Sequence, residues 1–264
     1  MRAVARFEID PVTHGTTPWL NAVLGVGLKS SIRSKYYSNM QRVGQPSARI
    51  MTKAPLIEKL NLDGPAGRLE AILEVPPETD PVAVAVVLHP HPQYGGTMHN
   101  KVAHTLARSF SRQGFAALRF NFRGTEGSDG AYDAGQGELD DALAAIKWLR
   151  ERYPGKPLWI GGFSFGAAIG IRAAIEAAPA GLISVAPAVS RFAAGLEQQP
   201  ECPWLIVQGD ADELVDIEET IAWVDSLAPG PELLVFPDTT HFFHGKLVEL
   251  REAVADFVGA NSQI

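Results

Sequence analysis

One serine in this sequence has the surroundings of a catalytic nucleophile. Residues 161–168 read Gly-Gly-Phe-Ser-Phe-Gly-Ala-Ala, so Ser164 is the centre of a Gly-x-Ser-x-Gly pattern. At a sharp turn from a strand into a helix, this pattern exposes the hydroxyl beside the helix N-terminus, whose partial positive charge favours a developing anion. In a chain with 25 glycines the pattern also arises by chance, with the serine a helix N-cap. Because an apolar run precedes it and a helical pattern follows, we interpret Ser164 as a nucleophile.

A serine hydroxyl becomes reactive when a base removes its proton and a carboxylate orients that base. Candidate bases follow the apolar run 232–236, where His241 and His244 lie three residues apart. Candidate acids follow the apolar run 204–208, and they are Asp210, Asp212, Glu213, Asp216 and Glu218. The order along the chain is therefore serine, acid, histidine, with a choice inside each group.

Acyl transfer also needs two N–H groups that stabilise the oxyanion. One is expected from Phe165, the residue after Ser164. The other is expected from the loop after the apolar run 82–88, which reads His-Pro-His-Pro-Gln-Tyr-Gly-Gly-Thr-Met. Proline has no N–H, so His91 is the donor available between the two prolines. We predict that the backbone N–H groups of His91 and Phe165 form the oxyanion hole.

The same loop could be interpreted as a metal site, since His89 and His91 form a His-x-His pair. No further residue of a kind that commonly binds metal ions stands directly after this pair, because the next residues are Pro, Gln, Tyr and Gly. His99 and His104 are five residues apart, which is not the spacing that places two ligands on one helix face. The sequence therefore predicts neither a metal ion nor another cofactor.

Strand-like and helix-like segments alternate through most of the chain. Residues 56–62 and 68–75 alternate apolar and polar side chains around a turn at 63–67, a pattern typical of an antiparallel hairpin. Further strands are predicted at 82–88, 115–122, 157–163, 181–186, 204–208 and 232–236, and helices at 101–113, 137–152, 165–178, 217–227 and 245–258. This order predicts an α/β fold with a mostly parallel, doubly wound sheet whose ligands bind at the carboxyl ends of the strands.

Residues 56–259 resemble the α/β-hydrolase family in their order of elements and their nucleophile elbow. The His-Pro-His-Pro loop resembles the small, dienelactone-hydrolase-like members. The Asn-Phe-Arg-Gly run at 121–124, with glycines at 127 and 130, resembles the family's loop after the fourth strand. The order serine, acid, histidine also agrees with the family.

This resemblance implies roles for individual residues. The family's acid closes a Gly-x-x-Asp turn, which corresponds to Asp212, with Asp210 as the alternative. The family's histidine corresponds to His241, with His244 as the alternative. The implied activity is hydrolysis of carboxylic esters or thioesters of small molecules through an acyl-enzyme. The alternative is an idle hydrolase scaffold that serves as a binding module.

Many members of the family carry a cap between the strand after the nucleophile helix and the strand that leads to the acid. Here this gap spans residues 187–203, which leaves room for one short helix around 191–196. We therefore expect no cap domain and an open site that accepts small or flexible acyl groups. The expected pocket walls are Tyr94, Met98, Phe165, Phe242 and Phe243, with packing in the core as the alternative for each of them.

Charge and composition divide the 264-residue chain into two parts. Residues 1–52 carry a net charge of +5 and the whole chain −7, so the rest is strongly acidic. The acidic charge of this larger part argues against nucleic acid as a partner, because binding to phosphates requires basic residues. We interpret residues 1–52 as a disordered leader, or as sequence upstream of a start at Met51, and residues 53–264 as the domain.

Cys202 is the one cysteine, so no internal disulfide can form and a reducing, cytoplasmic location is expected. No apolar stretch is long enough to span a bilayer. The oligomeric state cannot be derived from these patterns.

Overall fold

The computed structural model describes residues 53–77, 79–193 and 198–262. The predicted leader, residues 1–52, lies outside this part of the chain. The described strands are β1 (Leu56–Gly64), β2 (Gly67–Val75), β3 (Val84–Leu88), β4 (Ala116–Phe120), β5 (Leu158–Phe163), β6 (Gly181–Val185), β7 (Trp204–Gly209) and β8 (Glu232–Phe236). The described helices are α1 (Lys101–Arg112), α2 (Gln136–Arg152), α3 (Phe165–Ala177), α4 (Val189–Phe192), α5 (Ile217–Asp225) and α6 (Leu247–Asn261). None of these helices combines the length and apolar character needed to cross a membrane.

All eight strands form one sheet in the order β1-β2-β4-β3-β5-β6-β7-β8. The β1–β2 and β2–β4 pairs are antiparallel, and the other pairs are parallel. The predicted mostly parallel α/β sheet with an antiparallel N-terminal hairpin is therefore confirmed. Because β5 to β8 run in the same direction, the segments that follow them emerge at a common edge of the sheet.

Both faces of the sheet are covered, which explains the unbroken apolar runs of the central strands. Every residue of β3 is buried, and its side chains alternate between two hydrophobic cores. Val84, Val86 and Leu88 pack on one side, and Ala85 and Val87 pack on the other. The strands are thus held between two helical layers, so their ends are rigid supports for the loops.

Several elements are shorter or shifted relative to the prediction. The predicted strand 115–122 is observed only over β4, and a turn closed by the hydrogen bond from the N–H of Thr125 to the carbonyl oxygen of Phe122 follows it. Between them, the side chain of Asn121 donates to Glu70 and Glu126. The last helix begins at Leu247 rather than at Gly245, because Gly245 has a φ of 74°.

A buried ionic cluster holds the hairpin against the centre of the domain. Glu74 of β2 is fully buried and accepts hydrogen bonds from Arg119, Arg108 and Ser111. Arg119 also donates to the carbonyl oxygen of Met98 at 2.7 Å, which anchors the end of the loop that follows β3. Removing one member of a buried ion pair lowers the free energy of unfolding by about 3–5 kcal/mol. The cluster therefore stabilises the position of this loop.

In the described residues, α4 is the helix that connects β6 with β7. It spans Val189–Phe192 and so begins slightly earlier than the predicted helix around 191–196. The described part of this connection contains no cap domain, as predicted.

Candidate active site

Ser164 lies at the elbow between β5 and α3, with φ 55° and ψ −115°. This conformation is strained for a residue with a side chain and is typical of nucleophile elbows. The neighbouring glycines permit it, since a Cβ on Gly162 would lie 2.4 Å from the carbonyl oxygen of Gly166, and one on Gly166 would lie 2.4 Å from that of His89. The N–H of Ser164 donates to the carbonyl oxygen of Val185 at 2.8 Å, which ties the elbow to β6.

Ser164, His241 and Asp212 form a continuous chain of hydrogen bonds. His241 Nε2 lies 3.0 Å from Ser164 Oγ, and His241 Nδ1 lies 2.8 Å from Asp212 Oδ2. A carboxylate only accepts, so Nδ1 carries the proton of the neutral imidazole and Nε2 is free to accept one from the serine. The three side chains therefore have the geometry of a nucleophile, a base and an orienting acid.

The carboxylate of Asp212 is held by its own loop. Oδ1 accepts hydrogen bonds from the N–H groups of Leu214 and Val215, at 2.9 and 2.8 Å. Burial raises the pKa of Asp212, but the hydrogen bond and charge of His241 and these two N–H groups together leave the pKa below its ordinary value. Asp212 is therefore ionised at neutral pH and can stabilise a positively charged His241.

The two alternative residues, Asp210 and His244, have other described contacts. The backbone N–H of Asp210 donates to Phe236 across the end of the β7–β8 pair, where Asp210 opens the turn. His244 is exposed and stacks against Phe242, with the ring centres 6.0 Å apart. Among the candidate acids and bases, the structure brings Asp212 and His241 to Ser164.

His91 and Phe165 lie side by side next to the elbow. Their ring centres are 5.0 Å apart, and Phe165 is the first residue of α3. The first N–H groups of a helix have no partner within that helix, so the Phe165 N–H is free to bind an anion. Within the described residues no acceptor is paired with the backbone N–H of His91 either. Both predicted oxyanion donors are therefore available beside Ser164.

His89 connects the loop after β3 to the loop after β4. Its Nδ1 lies 2.7 Å from the carbonyl oxygen of Pro90, and its Nε2 accepts from the N–H of Phe122 at 3.0 Å. Complete burial lowers the pKa of His89 from 6.5 to about 4, and the nearby His91 lowers it further, against the raising effect of Pro90. His89 is therefore a neutral side chain that holds the backbone of the His91 loop.

The predicted pocket walls fall into two groups. Tyr94 is 83% exposed and Phe242 is 40% exposed, so both present a ring to solvent beside the site. Met98, Phe165 and Phe243 are almost completely buried. The expectation that the side chains of Met98, Phe165 and Phe243 line a substrate pocket is therefore wrong, because none of the three has side-chain surface that a substrate could reach.

Three residues at the site were not identified from the sequence. Gln208 donates to Asp212 Oδ2 at 2.9 Å. The hydroxyl of Tyr132 lies 3.1 Å from His91 Nε2, and the ring of Phe192 lies 4.8 Å from that of Phe165. Gln208 could have been noticed, since it is the one polar side chain in the apolar run 204–208, whereas no sequence pattern pointed to Tyr132 or Phe192.

Among residues 53–77, 79–193 and 198–262, no three His, Cys, Asp or Glu side chains are grouped in a way that would hold a metal ion.

Comparison with known proteins gives relatives over most of the chain. Residues 79–195 match the family Hydrolase_4, described as serine aminopeptidase, S33. An uncharacterized protein of Rickettsia prowazekii, RP471, is 32% identical over 211 residues, which cover 76% of this chain and 88% of that protein.

Two solved structures are more similar. XC6422 from Xanthomonas campestris, described as an α/β serine hydrolase without a lid, is 41% identical with a TM-score of 0.75, and the match covers 81% of this chain and 97% of that one. An α/β serine hydrolase homologue from Coxiella burnetii is 42% identical with a TM-score of 0.71, and the match covers 75% of this chain and 96% of that one.

Proposed function

Because the chain belongs to the α/β-hydrolase family, we propose that it is a serine hydrolase that cleaves carboxylic esters or thioesters of small molecules. The observation that carries this proposal is the unbroken chain of hydrogen bonds from Ser164 Oγ through His241 to Asp212. Buried, well-aligned contacts of this kind are needed for a serine to act as a nucleophile at neutral pH.

In the first half of the reaction, Ser164 Oγ attacks the acyl carbon while His241 Nε2 takes the hydroxyl proton. Asp212 stabilises the resulting imidazolium and keeps its Nε2 directed at the serine. The negative oxygen of the tetrahedral intermediate is held by the N–H groups of Phe165 and His91. The intermediate collapses to an acyl-serine when the leaving alcohol or thiol receives the proton from His241.

In the second half, water replaces the leaving group. His241 takes a proton from the water as its oxygen attacks the acyl carbon of the ester on Ser164. Collapse of the second intermediate delivers this water proton to Ser164 and releases the carboxylic acid. The proton that Ser164 lost to the alcohol or thiol is thus replaced by one from water, and no cofactor is required.

A fluorophosphonate probe with short p-nitrophenyl esters tests the proposal. Wild-type protein is expected to bind the probe covalently and to hydrolyse p-nitrophenyl acetate, and Ser164→Ala to do neither. Ser226→Ala, which removes an exposed hydroxyl from the end of α5, is the control and should behave as wild type.

Two other results would favour a different function. Absence of both labelling and hydrolysis in the folded wild-type protein would favour an idle scaffold that binds a ligand. Because the matching family is described as serine aminopeptidase, an aminoacyl p-nitroanilide belongs in the same assay. Faster cleavage of the anilide than of the ester would replace ester hydrolysis with amide hydrolysis.

The proposal includes action in the cytoplasm. Cys202 is a free, half-buried thiol, and burial raises its pKa to about 11, so it stays an unreactive thiol in a reducing compartment. Recovery of the native protein from an oxidising compartment after cell fractionation would contradict this location.

A further inference from the structure

Several exposed apolar side chains lie on the loops that carry the site residues. In the described residues the large hydrophobic side chains that are exposed are Leu56, Ile57, Val82, Tyr94, Leu214, Phe242 and Val248. Tyr94, Leu214 and Phe242 belong to the loops that also carry His91, Asp212 and His241. Apolar surface that collects at one place on a protein usually marks a binding site. The apolar part of a substrate is the natural occupant at these loops.

Five aromatic rings, here called the His91 ring cluster, include that of Phe165, the residue after the nucleophile. The ring of His91 is surrounded by those of Tyr94, Tyr132, Phe165 and Phe192, with centre-to-centre distances of 4.7, 4.9, 5.0 and 5.6 Å. The rings come from four separate segments of the chain: the loop after β3, the loop after β4, the start of α3, and α4. Their separations and tilts are those of favourable aromatic pairs.

The cluster also offers one hydrogen-bond donor. The N–H of Gln93 donates to His91 Nδ1 at 3.3 Å, so in the neutral imidazole Nε2 carries the proton. Burial and the charge of Arg191 lower the pKa of His91, which favours this neutral form. Nε2 therefore donates to the hydroxyl oxygen of Tyr132, 3.1 Å away. Within the described chain no acceptor is paired with the Tyr132 hydroxyl proton, which can be donated to a ligand.

The reaction geometry separates the two ends of the substrate. The leaving oxygen or sulfur must lie within reach of His241 Nε2, which protonates it. The rings in contact with His241 are Phe163 and Phe242, at 4.9 and 5.2 Å, and neither belongs to the His91 ring cluster. The oxyanion is held between Phe165 and His91, which are members of the cluster. The acyl group is therefore directed to the cluster and the leaving group to Phe242.

We propose that the His91 ring cluster is the acyl-binding wall of the enzyme and that it selects esters or thioesters with an aromatic acyl group. This inference rests on the hydrolase activity proposed above and adds the class of substrate. An aromatic acyl ring packs against the exposed ring of Tyr94 and the half-buried rings of Phe192 and Tyr132, in the tilted arrangement that these rings already adopt against the ring of His91. A saturated ring of the same size gains the apolar contact but not the aromatic one.

Three p-nitrophenyl esters separate these contributions: the 3-phenylpropanoate, the 3-cyclohexylpropanoate and the acetate. All three have the same leaving group. The acyl groups of the first two have the same chain length and nearly the same size. An aromatic contact of about 1 kcal/mol corresponds to roughly a fivefold preference in kcat/KM for phenyl over cyclohexyl in the wild type. Tyr94→Ala and Phe192→Leu should each reduce this ratio toward one. Val248→Ala, which truncates an exposed apolar side chain outside the cluster, should leave it unchanged.

The outcomes distinguish the two proposals. Equal kcat/KM for phenyl and cyclohexyl esters in the wild type, with the acetate hydrolysed, would overturn the aromatic acyl wall and leave the hydrolase proposal intact. A preference that survives both Tyr94→Ala and Phe192→Leu would also overturn it. Failure to hydrolyse any of the three esters, together with absence of fluorophosphonate labelling, would contradict the hydrolase proposal itself.

Discussion

The side-chain amide of Gln208 donates to Asp212 Oδ2 at 2.9 Å, and this is the carboxylate oxygen closest to His241 Nδ1. Gln208 is completely buried at the end of β7, and its amide also donates to the carbonyl oxygen of Val215. The orientation of the acid is therefore set from the strand as well as from its own loop. Gln208 is a positioning residue, since it acts on the reaction through Asp212.

Replacing Gln208 with methionine tests this role. Gln208→Met keeps the length of the side chain, removes the donor to Asp212, and also removes Oε1, which has no partner among the described residues. Loss of a hydrogen bond to a charged group should lower kcat by about 5–30-fold with KM nearly unchanged. Ester hydrolysis kinetics measure this. The control is Gln113→Met, which replaces the buried glutamine at the C-cap of α1. An equal loss of kcat in both variants would contradict the positioning role of Gln208.

Asp212→Asn should change the proton arrangement without changing the shape of the site. The new amide would present an N–H to His241 Nδ1 in place of Oδ2 and could not accept from Gln208 there, so the imidazole would carry its proton on the nitrogen that faces Ser164. We expect kcat for p-nitrophenyl acetate to fall by roughly 10³–10⁴-fold with thermal stability largely retained. Asp210→Asn is the matched control. A larger loss in the control than in Asp212→Asn would assign the acid to Asp210.

Gly166→Ala should damage the elbow through backbone crowding. The added Cβ would lie 2.4 Å from the carbonyl oxygens of both Leu88 and His89, which belong to β3 and the segment after it and have no room to move. We expect a loss of about 3 kcal/mol or more in the free energy of unfolding, measured by urea denaturation. Gly170→Ala, one turn further along α3, meets a flexible side-chain carbon of Ile160 at 3.3 Å and is the control, with a much smaller effect.

The buried His89 should make the protein less stable in mild acid. Its pKa falls from 6.5 to about 4 on folding, so between these values the unfolded chain binds a proton that the folded chain does not. Stability from this residue is complete above pH 6.5 and decreases as the pH falls toward 4. Between pH 7 and pH 5 the loss is about 2 kcal/mol for His89 alone.

Urea denaturation at pH 7 and pH 5 measures this loss. His89→Gln cannot titrate, so the difference in unfolding free energy between the two pH values should be about 2 kcal/mol smaller than in the wild type. His91 and His104, whose pKa values are also lowered by burial, remain in both proteins and contribute equally to each. An identical pH dependence in the wild type and the variant would show that His89 is not the titrating group.

The order of elements and the position of Ser164 could be predicted because both depend on local sequence. Apolar runs and the Gly-x-Ser-x-Gly turn are encoded over a few neighbouring residues. The strand ends were predicted less accurately. β4 ends at Phe120 although Phe122 continues the apolar pattern, because Phe122 accepts the hydrogen bond of a turn that ends at Thr125.

Contacts between distant segments explain what the sequence did not indicate. Tyr132 reaches His91 across 41 residues, and no local pattern connects them. Phe242 and Phe243 are adjacent and identical in type, yet one is exposed and the other is buried, because the backbone turns sharply at Phe243 with a φ of 53°. Which of two such neighbours is buried depends on the three-dimensional path of the backbone.

The reacting groups rest on the ends of packed strands, whereas the surrounding rings come largely from the connections between them. Ser164 follows β5 and Asp212 follows β7, while Tyr94, Tyr132 and Phe192 lie in connecting segments. Mutations can therefore exchange one ring for another while the strand ends keep the machinery in place. In evolution, this separation would allow duplicated copies of the protein to acquire new substrates one connection at a time.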